Sequence, residues 1–422
     1  MKLIRSTLLS IVLLSAMTLT ARGHAFAANE SVLWSFGGPG DGANLQSAKN
    51  EVTTDGTNLF GTTYSGGANG LGTVYELTPN GSGGWNESVL WSFANNGVDG
   101  HGPRSGPIVD SLGNLYGTTY LGGAYGSGTV YELSPAGSGW IETILHSFGG
   151  SPSVPADPGA ALMMDGAGNL YGTCTNGGGG GAAFELSSAG AGWTESTLWT
   201  PVKLTDGVNT LGGLIMDSLG NLYGTTLSGG ASTGSKNFPF GAGTAYQLTP
   251  AGGTWTHSII TNFATNSRDV QRPNAALTMD SSGNLYSTSQ TGGVSGKGTV
   301  FKLTPATGGG WTESVIWNFG SGKSDGSAPV GSLIIDASGK IFGTTPGGGA
   351  YGGGTAFSLN PPANAGGSWT ETILWNFKGG ADGSWPTANL AQLGGNLYGS
   401  TQAGGAHGAG TVFKLTNTGF TP

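Results

Sequence analysis

An all-β, seven-bladed β-propeller with four antiparallel strands per blade is the fold this sequence predicts, and three observations predict it. The first is a repeat. Asn-Leu-Tyr-Gly-Thr-Thr at 114–119 returns at 58–63, 169–174, 221–226, 284–289, 340–345 and 396–401. Copies about 55 residues apart mark a repeat architecture in which each copy is one supersecondary unit. The second is that each unit holds four short β-type segments separated by Gly-rich turns, the pattern of a propeller blade. The third is the offset of the ends. The chain after residue 27 opens on a lone fourth-strand segment (30–36), and it closes on three segments (388–393, 396–401, 411–416) with no fourth. Residues 28–36 therefore complete the last blade and close the ring, which removes exposed edges between first and last units. An open solenoid has no use for that offset.

The unit at 105–148 shows each segment in order. Residues 106–110 are small and apolar, as a crowded strand near the axis requires. Ser111-Leu112-Gly113 turns the chain, with Asp110 placed to bond the backbone ahead and Gly113 free to take positive φ. The repeat hexamer is the second strand. A Gly-rich loop at 121–127 leads to the third, 128–134, and a turn at 135–139 leads to the fourth, 140–148. Side chains alternate with period 2: Thr129, Tyr131 and Leu133 share one face, and Val130 lies on the other. Apolar groups on both faces suit a sheet packed on both sides. Trp34, Trp91, Trp199, Trp317 and Trp375 fall at one repeat position, with His146 and Thr261 in the other two units. Weaker packing is expected where the Trp is lost.

Residues 1–27 read as a secretory signal peptide, with Lys2 and Arg5, an apolar run over 8–19, and Ala25-Phe26-Ala27 as the cleavage site. Residues 28–422 then form one domain, expected to be monomeric and secreted or periplasmic. The formal charge of −8 includes Lys2, Arg5 and Arg22 from the leader, so it becomes −11 without them. That charge, on a surface poor in Lys and Arg, argues against nucleic acid as a partner. Cys174 is the single cysteine, so no internal disulfide forms.

Tyr116-Gly117-Thr118-Thr119, Gly128-Thr129-Val130-Tyr131-Glu132-Leu133, Ser147-Phe148 and Phe413-Lys414-Leu415-Thr416 together resemble the bacterial GloVer tandem repeat. The resemblance spans 30–416. It implies an exported repeat protein and brings no catalytic residues.

Chemistry-bearing residues are sparse. Gly347–Gly352 spells GxGxxG, but no helix follows it, so it is turn punctuation rather than a dinucleotide site. An acid recurs after the fourth strand: Asp41, Asp99, Asp157, Asp206, Asp269, Asp325 and Asp382. In a propeller this segment enters the innermost strand, so these acids are expected to ring one mouth of the channel. The bland alternative is a copied turn former. No D-x-D-x-D loop is present, so a Ca²⁺ site would need acids from several blades, and no cofactor is expected. A second set, Asp110, Asp165, Asp217, Asp280 and Asp336, reads as hairpin turn residues on the opposite face.

The Gly-rich loop varies at one position, Asn69, Tyr125, Ser295, Tyr351 and His407, on the same face as the Asp-Gly segments. His101, Arg104, Arg268, Arg272 and Trp385 lie nearby. The fourth unit adds an insertion over 232–240 with Lys236, Phe238 and Phe240. Aromatics, Arg and acids on one loop face can stack on and hydrogen-bond a sugar or a peptide. Asp99, Asp325, Asp382, Tyr125, Tyr351, His407, Trp385, His101, Arg104 and Arg272 are the candidate ligand-binding residues, with carbohydrate or an extracellular protein as partner.

No metalloprotease or nucleophile-elbow motif stands in a suitable context. The leading reading is a binding module. The alternatives are a polysaccharide-acting enzyme with paired carboxylates at the channel mouth, and a purely structural repeat protein.

Overall fold

The computed structural model describes residues 28–45, 51–190, 192–232, 239–264, 269–364 and 366–422. The leader reading at 1–27 lies outside them, as do Arg268, Lys236 and Phe238. Seven antiparallel sheets form the blades, and no α-helix occurs among the described residues, only two 3-10 turns. Blade 2 is typical: Ile108–Val109 inside, then Leu115–Thr119, Thr129–Ala136 and Gly139–Ser147 outside. The ring closes as the offset ends require. Asn29–Ser35 pairs antiparallel with Thr411–Thr416 and becomes the outer strand of blade 7.

Every residue of the repeat hexamer has a physical task. In blade 2, Asn114 Nδ2 and the Tyr116 hydroxyl donate to Asp110 Oδ2, while Asp110 Oδ1 accepts the amides of Leu112 and Asn114. Burial pushes the Asp110 carboxyl up, but these hydrogen bonds, the Asn114 side chain first, hold it below its usual range. Asp165, Asp217 and Asp280 are held the same way, as the turn reading expects. Gly117 must be small, because a Cβ there would overlap the Tyr131 hydroxyl of the neighbouring strand. The first Thr joins blades: Thr118 Oγ1 donates to the Ala160 carbonyl of the next innermost strand, 3.3 Å away. Thr62, Thr173, Thr225, Thr288 and Thr344 repeat that bond. The second Thr bonds within its blade, Thr119 to Thr129 at 2.8 Å. In blade 3 both partners change together, to Cys174 facing Ala182, which accounts for the buried cysteine.

The packing between blades corrects one expectation. The recurrent Trp residues are only partly buried. Apart from Phe342 of the second strand in blade 6, the largest fully buried side chains are aromatics of the third strand and the Phe that ends the fourth. These meet across junctions: Phe36 with Tyr75 at 4.8 Å, Phe93 with Tyr131 at 5.3 Å, and Phe148 with Phe184 at 4.9 Å between centroids. Phe263–Phe301, Phe319–Phe357 and Phe377–Phe413 continue the series, and Trp199–Tyr246 serves where blade 3 lacks the Phe. Burying each such ring is worth roughly 1.5–3 kcal/mol, so the junctions carry much of the hydrophobic core. Where the Trp is lost in blade 4, Thr261 Oγ1 donates to Glu313 of the next blade at 3.1 Å.

The innermost strand differs from the single run that the sequence suggests. It is split. Gly100–His101 pairs with Leu121–Gly122 in a small sheet of its own, and Ile108–Val109 pairs separately with the second strand. The Asp-Gly segment is thus the start of the inner strand, and a Pro without an amide proton sits in the break. That Pro packs on the neighbouring blade. Pro158 Cδ lies where a Cβ on Gly128 (φ +95°) would stand.

Candidate functional site

The loop face is built from the Gly-rich loops and the segments that enter the innermost strands. Eleven large apolar side chains are exposed among the described residues. Seven of them, Val98, Tyr125, Val202, Phe240, Val294, Tyr351 and Trp385, stand on this face.

The recurrent acids do not form a channel mouth. Asp99 is 4% exposed, and Asp325 is also buried. Their oxygens serve the segment that carries them. Asp99 Oδ2 accepts the Ala94 amide at 2.6 Å, and Asp325 Oδ2 accepts the Ser321 amide and hydroxyl. Asp382 accepts Trp375 Nε1 on one oxygen and the Lys378 amide on the other. The second carboxyl of each cluster is a Glu on the fourth strand, a recurrence the sequence reading passed over. Glu87 faces Asp41, Glu142 faces Asp99, Glu313 faces Asp269, Glu371 faces Asp325, and Glu30 faces Asp382. Burial and then the neighbouring Asp push Glu30, Glu87 and Glu371 up to about 8. Glu313 rises to about 9 through burial and then its hydrogen bond to and the charge of Asp269, and Glu142 to about 9 through burial and Asp99. As two carboxylates, Glu142 Oε1 and Asp99 Oδ1 would both lack a donor. A proton on the Glu satisfies both. Five copies of one pair inside blade junctions form a structural device rather than a unique reactive centre.

Asp157 is also reassigned. Val154 takes the acid's position in blade 3, since its carbonyl meets Gly177 as the carbonyl of Asp99 meets Gly122. Asp157 instead occupies the next recurrent feature, a left-handed residue three positions on.

That feature is Asn44, Gly102, Asp157, Asn209, Arg272, Ala328 and Trp385, one per blade, with φ between +55° and +62°. In blades 2 to 7 the amide of the left-handed residue bonds the preceding blade's Gly-rich loop. Trp385 donates to the Gly353 carbonyl at 2.8 Å and Arg272 to that of Ala242 at 2.9 Å. Gly102 shows that glycine serves at this position. Trp385 is nevertheless 51% exposed.

The ten candidate residues do not converge. Trp385 and Asp382 share the junction of blades 6 and 7 with the Gly-rich loop of Tyr351, whose ring carries Lys378 Nζ at 5.4 Å from its centroid. Tyr125 lies over Gly149 and Gly150 on blade 2, beside a cleft of about 440 Å³ lined by Ser127, Ser151 and Asn176. His407 sits beside Gly37 where the ring closes. Arg104 stacks on Tyr120 at 3.3 Å, and His101 pairs with Leu121 in the same blade. Arg272 belongs to the junction of blades 4 and 5. Among the described residues no three His, Cys, Asp or Glu side chains converge as metal ligands.

A family model described as the Gloeobacter/Verrucomicrobia repeat matches residues 18–151, 46–240 and 231–421. The chain belongs to the Gloeobacter/Verrucomicrobia repeat family. No curated protein matches it. This Gloeobacter/Verrucomicrobia repeat chain is similar in structure to a puromycin-hydrolyzing peptidase of Mycobacterium tuberculosis, with 13% identity and a TM-score of 0.51 over 88% of this chain and 52% of that one. It is also similar to the extracellular domain of a one component system of B. thetaiotaomicron, with 13% identity and a TM-score of 0.50 over 93% of this chain and 43% of that one. The repeat chain spans about half the length of each. Likeness at this identity concerns the fold alone. Among the described residues no helix is long and apolar enough to cross a membrane.

Proposed function

We propose that this repeat protein is a non-enzymatic binding module, exported after loss of residues 1–27, that takes a carbohydrate polymer on its loop face. Trp385 carries the reading. A non-glycine residue in the left-handed region costs about 1–2 kcal/mol. A half-exposed Trp recovers only part of that through burial, and glycine is accepted at the same position in blade 2. Strain kept where the backbone does not need the side chain points to a use for the side chain. Tyr351 (61% exposed) on the adjoining loop and Tyr125 (62%) on blade 2 supply further flat apolar faces. Such faces bury the C–H side of a sugar, while nearby backbone amides and hydroxyls take its rim. The raised carboxyls repeat as one pair in five junctions, which marks packing rather than a single reactive centre and weighs against hydrolysis.

Trp385→Gly tests the reading. Removing the strain leaves the melting point level or higher, while a thermal shift produced by a polysaccharide panel is lost. A variant that melts well below the parent would make Trp385 a packing residue and overturn the proposal.

A further inference from the structure

Among the described residues, four of the loop-face cations lie on one arc of the ring. Arg272, Lys297, Lys323 and Lys378 are all exposed, and all lie on the arc from the junction of blades 4 and 5 to that of blades 6 and 7. The Ala328 amide bonds the Lys297 carbonyl across the junction of blades 5 and 6, and Lys323 belongs to the segment entering blade 6. Among the described residues none of the four is in an ion pair. Lys203–Asp206, at 4.0 Å on another part of the ring, is the ion pair found among the described residues. Lys378 Nζ is instead held over two aromatic rings, Tyr351 at 5.4 Å and Trp375 at 5.7 Å.

The acids near this arc are engaged by the protein itself, and Asp382 accepts Trp375 Nε1 and the Lys378 amide. Asp269 and Asp325 are buried, and both face a glutamate across the junction. The ionised hairpin acids, Asp110, Asp165, Asp217 and Asp280, lie at the other end of the blades. A five-residue second strand at about 3.3 Å per residue separates the two faces by roughly 16 Å. That is about two Debye lengths at physiological salt, so the charge of these hairpin acids is largely screened from the arc.

We propose that this arc binds an acidic polysaccharide whose sugars carry carboxylates, with Arg272, Lys297, Lys323 and Lys378 meeting the uronate groups while Tyr351 and Trp385 stack on the sugar rings. The proposal rests on the carbohydrate reading above and deepens it. A protein polyanion lacks the repeating C–H faces that the two aromatics fit, and single-stranded nucleic acid, whose bases also stack on aromatics, is the competing polyanion that the experiment includes. Uronate polymers present one carboxylate per ring beside such a face, which matches Lys378 held over aromatic rings with further single cations along the arc.

The experiment measures binding of the expressed protein by calorimetry to polygalacturonate, to the same polymer with its carboxylates methyl-esterified, and to single-stranded DNA. Binding to polygalacturonate is expected to weaken as salt rises and to be at least tenfold weaker for the ester. Arg272→Gln and Lys378→Gln, both exposed, are each expected to weaken it about two- to fivefold, in the range of exposed ion pairs. The four Gln substitutions together are expected to abolish it while leaving the melting point within a few degrees. Equal binding of acid and ester, unchanged by the four substitutions, would overturn the charge inference and leave the carbohydrate reading standing. No binding to either polymer would overturn both. DNA binding as tight as polygalacturonate would show an unspecific cationic patch and overturn the assignment to a glycan.

Discussion

Glu142 and Asp99 meet carboxyl to carboxyl inside the junction between blades 1 and 2, where burial and the Asp99 charge push the Glu142 carboxyl up to about 9 and favour one shared proton. A carboxyl whose pKa is raised on folding supports the fold only while protonated. Its contribution is fully present below the unfolded value of 4.5 and is lost as pH rises through the folded value. Four further junctions hold the same pair. The melting temperature is therefore expected to fall steadily from pH 5 to pH 9. Glu142→Gln, which can donate to Asp99 at any pH, should make that fall shallower. A melting temperature flat over this range would refute the shared proton.

Closure by the N-terminal strand makes Phe36 a core residue although it lies near the start of the domain. It is fully buried and packs on Tyr75 across the closing junction. Phe36→Ala is expected to cost about 3–5 kcal/mol, as in other large-to-small core changes. Deleting 28–36 should destabilise the domain further by exposing the edge of Thr411–Thr416. Chemical denaturation measures both, and a deletion variant as stable as the parent would show that the ring does not depend on this strand.

Thr118→Val keeps the shape and removes the donor to the Ala160 carbonyl. A buried acceptor left unsatisfied costs about 1–3 kcal/mol. The same change at Thr119 breaks a bond within the blade instead and strands the Thr129 amide as well. Denaturation midpoints of the two variants should both fall. No loss in Thr118→Val would mean that the joining bond contributes nothing net.

Blade 6 departs from the hexamer for a reason visible only in three dimensions. Lys340 and Phe342 replace the Asn and Tyr that elsewhere clamp the hairpin Asp. Residues 417–422 fold back there: the Thr421 amide donates to Asp336, Lys340 Nζ donates to the Thr418 carbonyl, and Phe420 packs on Phe342 at 5.3 Å. Removing 417–422 should lower the melting point. Restoring Lys340→Asn with Phe342→Tyr in the shortened chain should recover part of the loss by rebuilding the clamp, whereas the same pair in the full chain should not raise it. Recovery in neither background would show that the tail and the clamp are not equivalent.

The seven units, their four strands, the closing N-terminal strand and the hairpin role of Asp110 and its copies were all legible in the sequence. They are local or periodic properties: alternation, turn chemistry and spacing survive in one dimension because each unit repeats the same backbone problem. The binding candidates Tyr125, Tyr351 and Trp385 were legible only as variable positions on one face. What the tertiary structure decided concerns neighbours from different units. It buried Asp99 and Asp325 against glutamates of the fourth strand, set Phe rather than Trp at the junctions, moved Asp157 out of the acid series, and put Trp385 in a left-handed conformation beside the loop of Tyr351. Partners from different units carry no mark of their meeting in the chain, because whether a carboxyl is a turn cap, a shared proton site or a free charge depends on what the next blade presses against it.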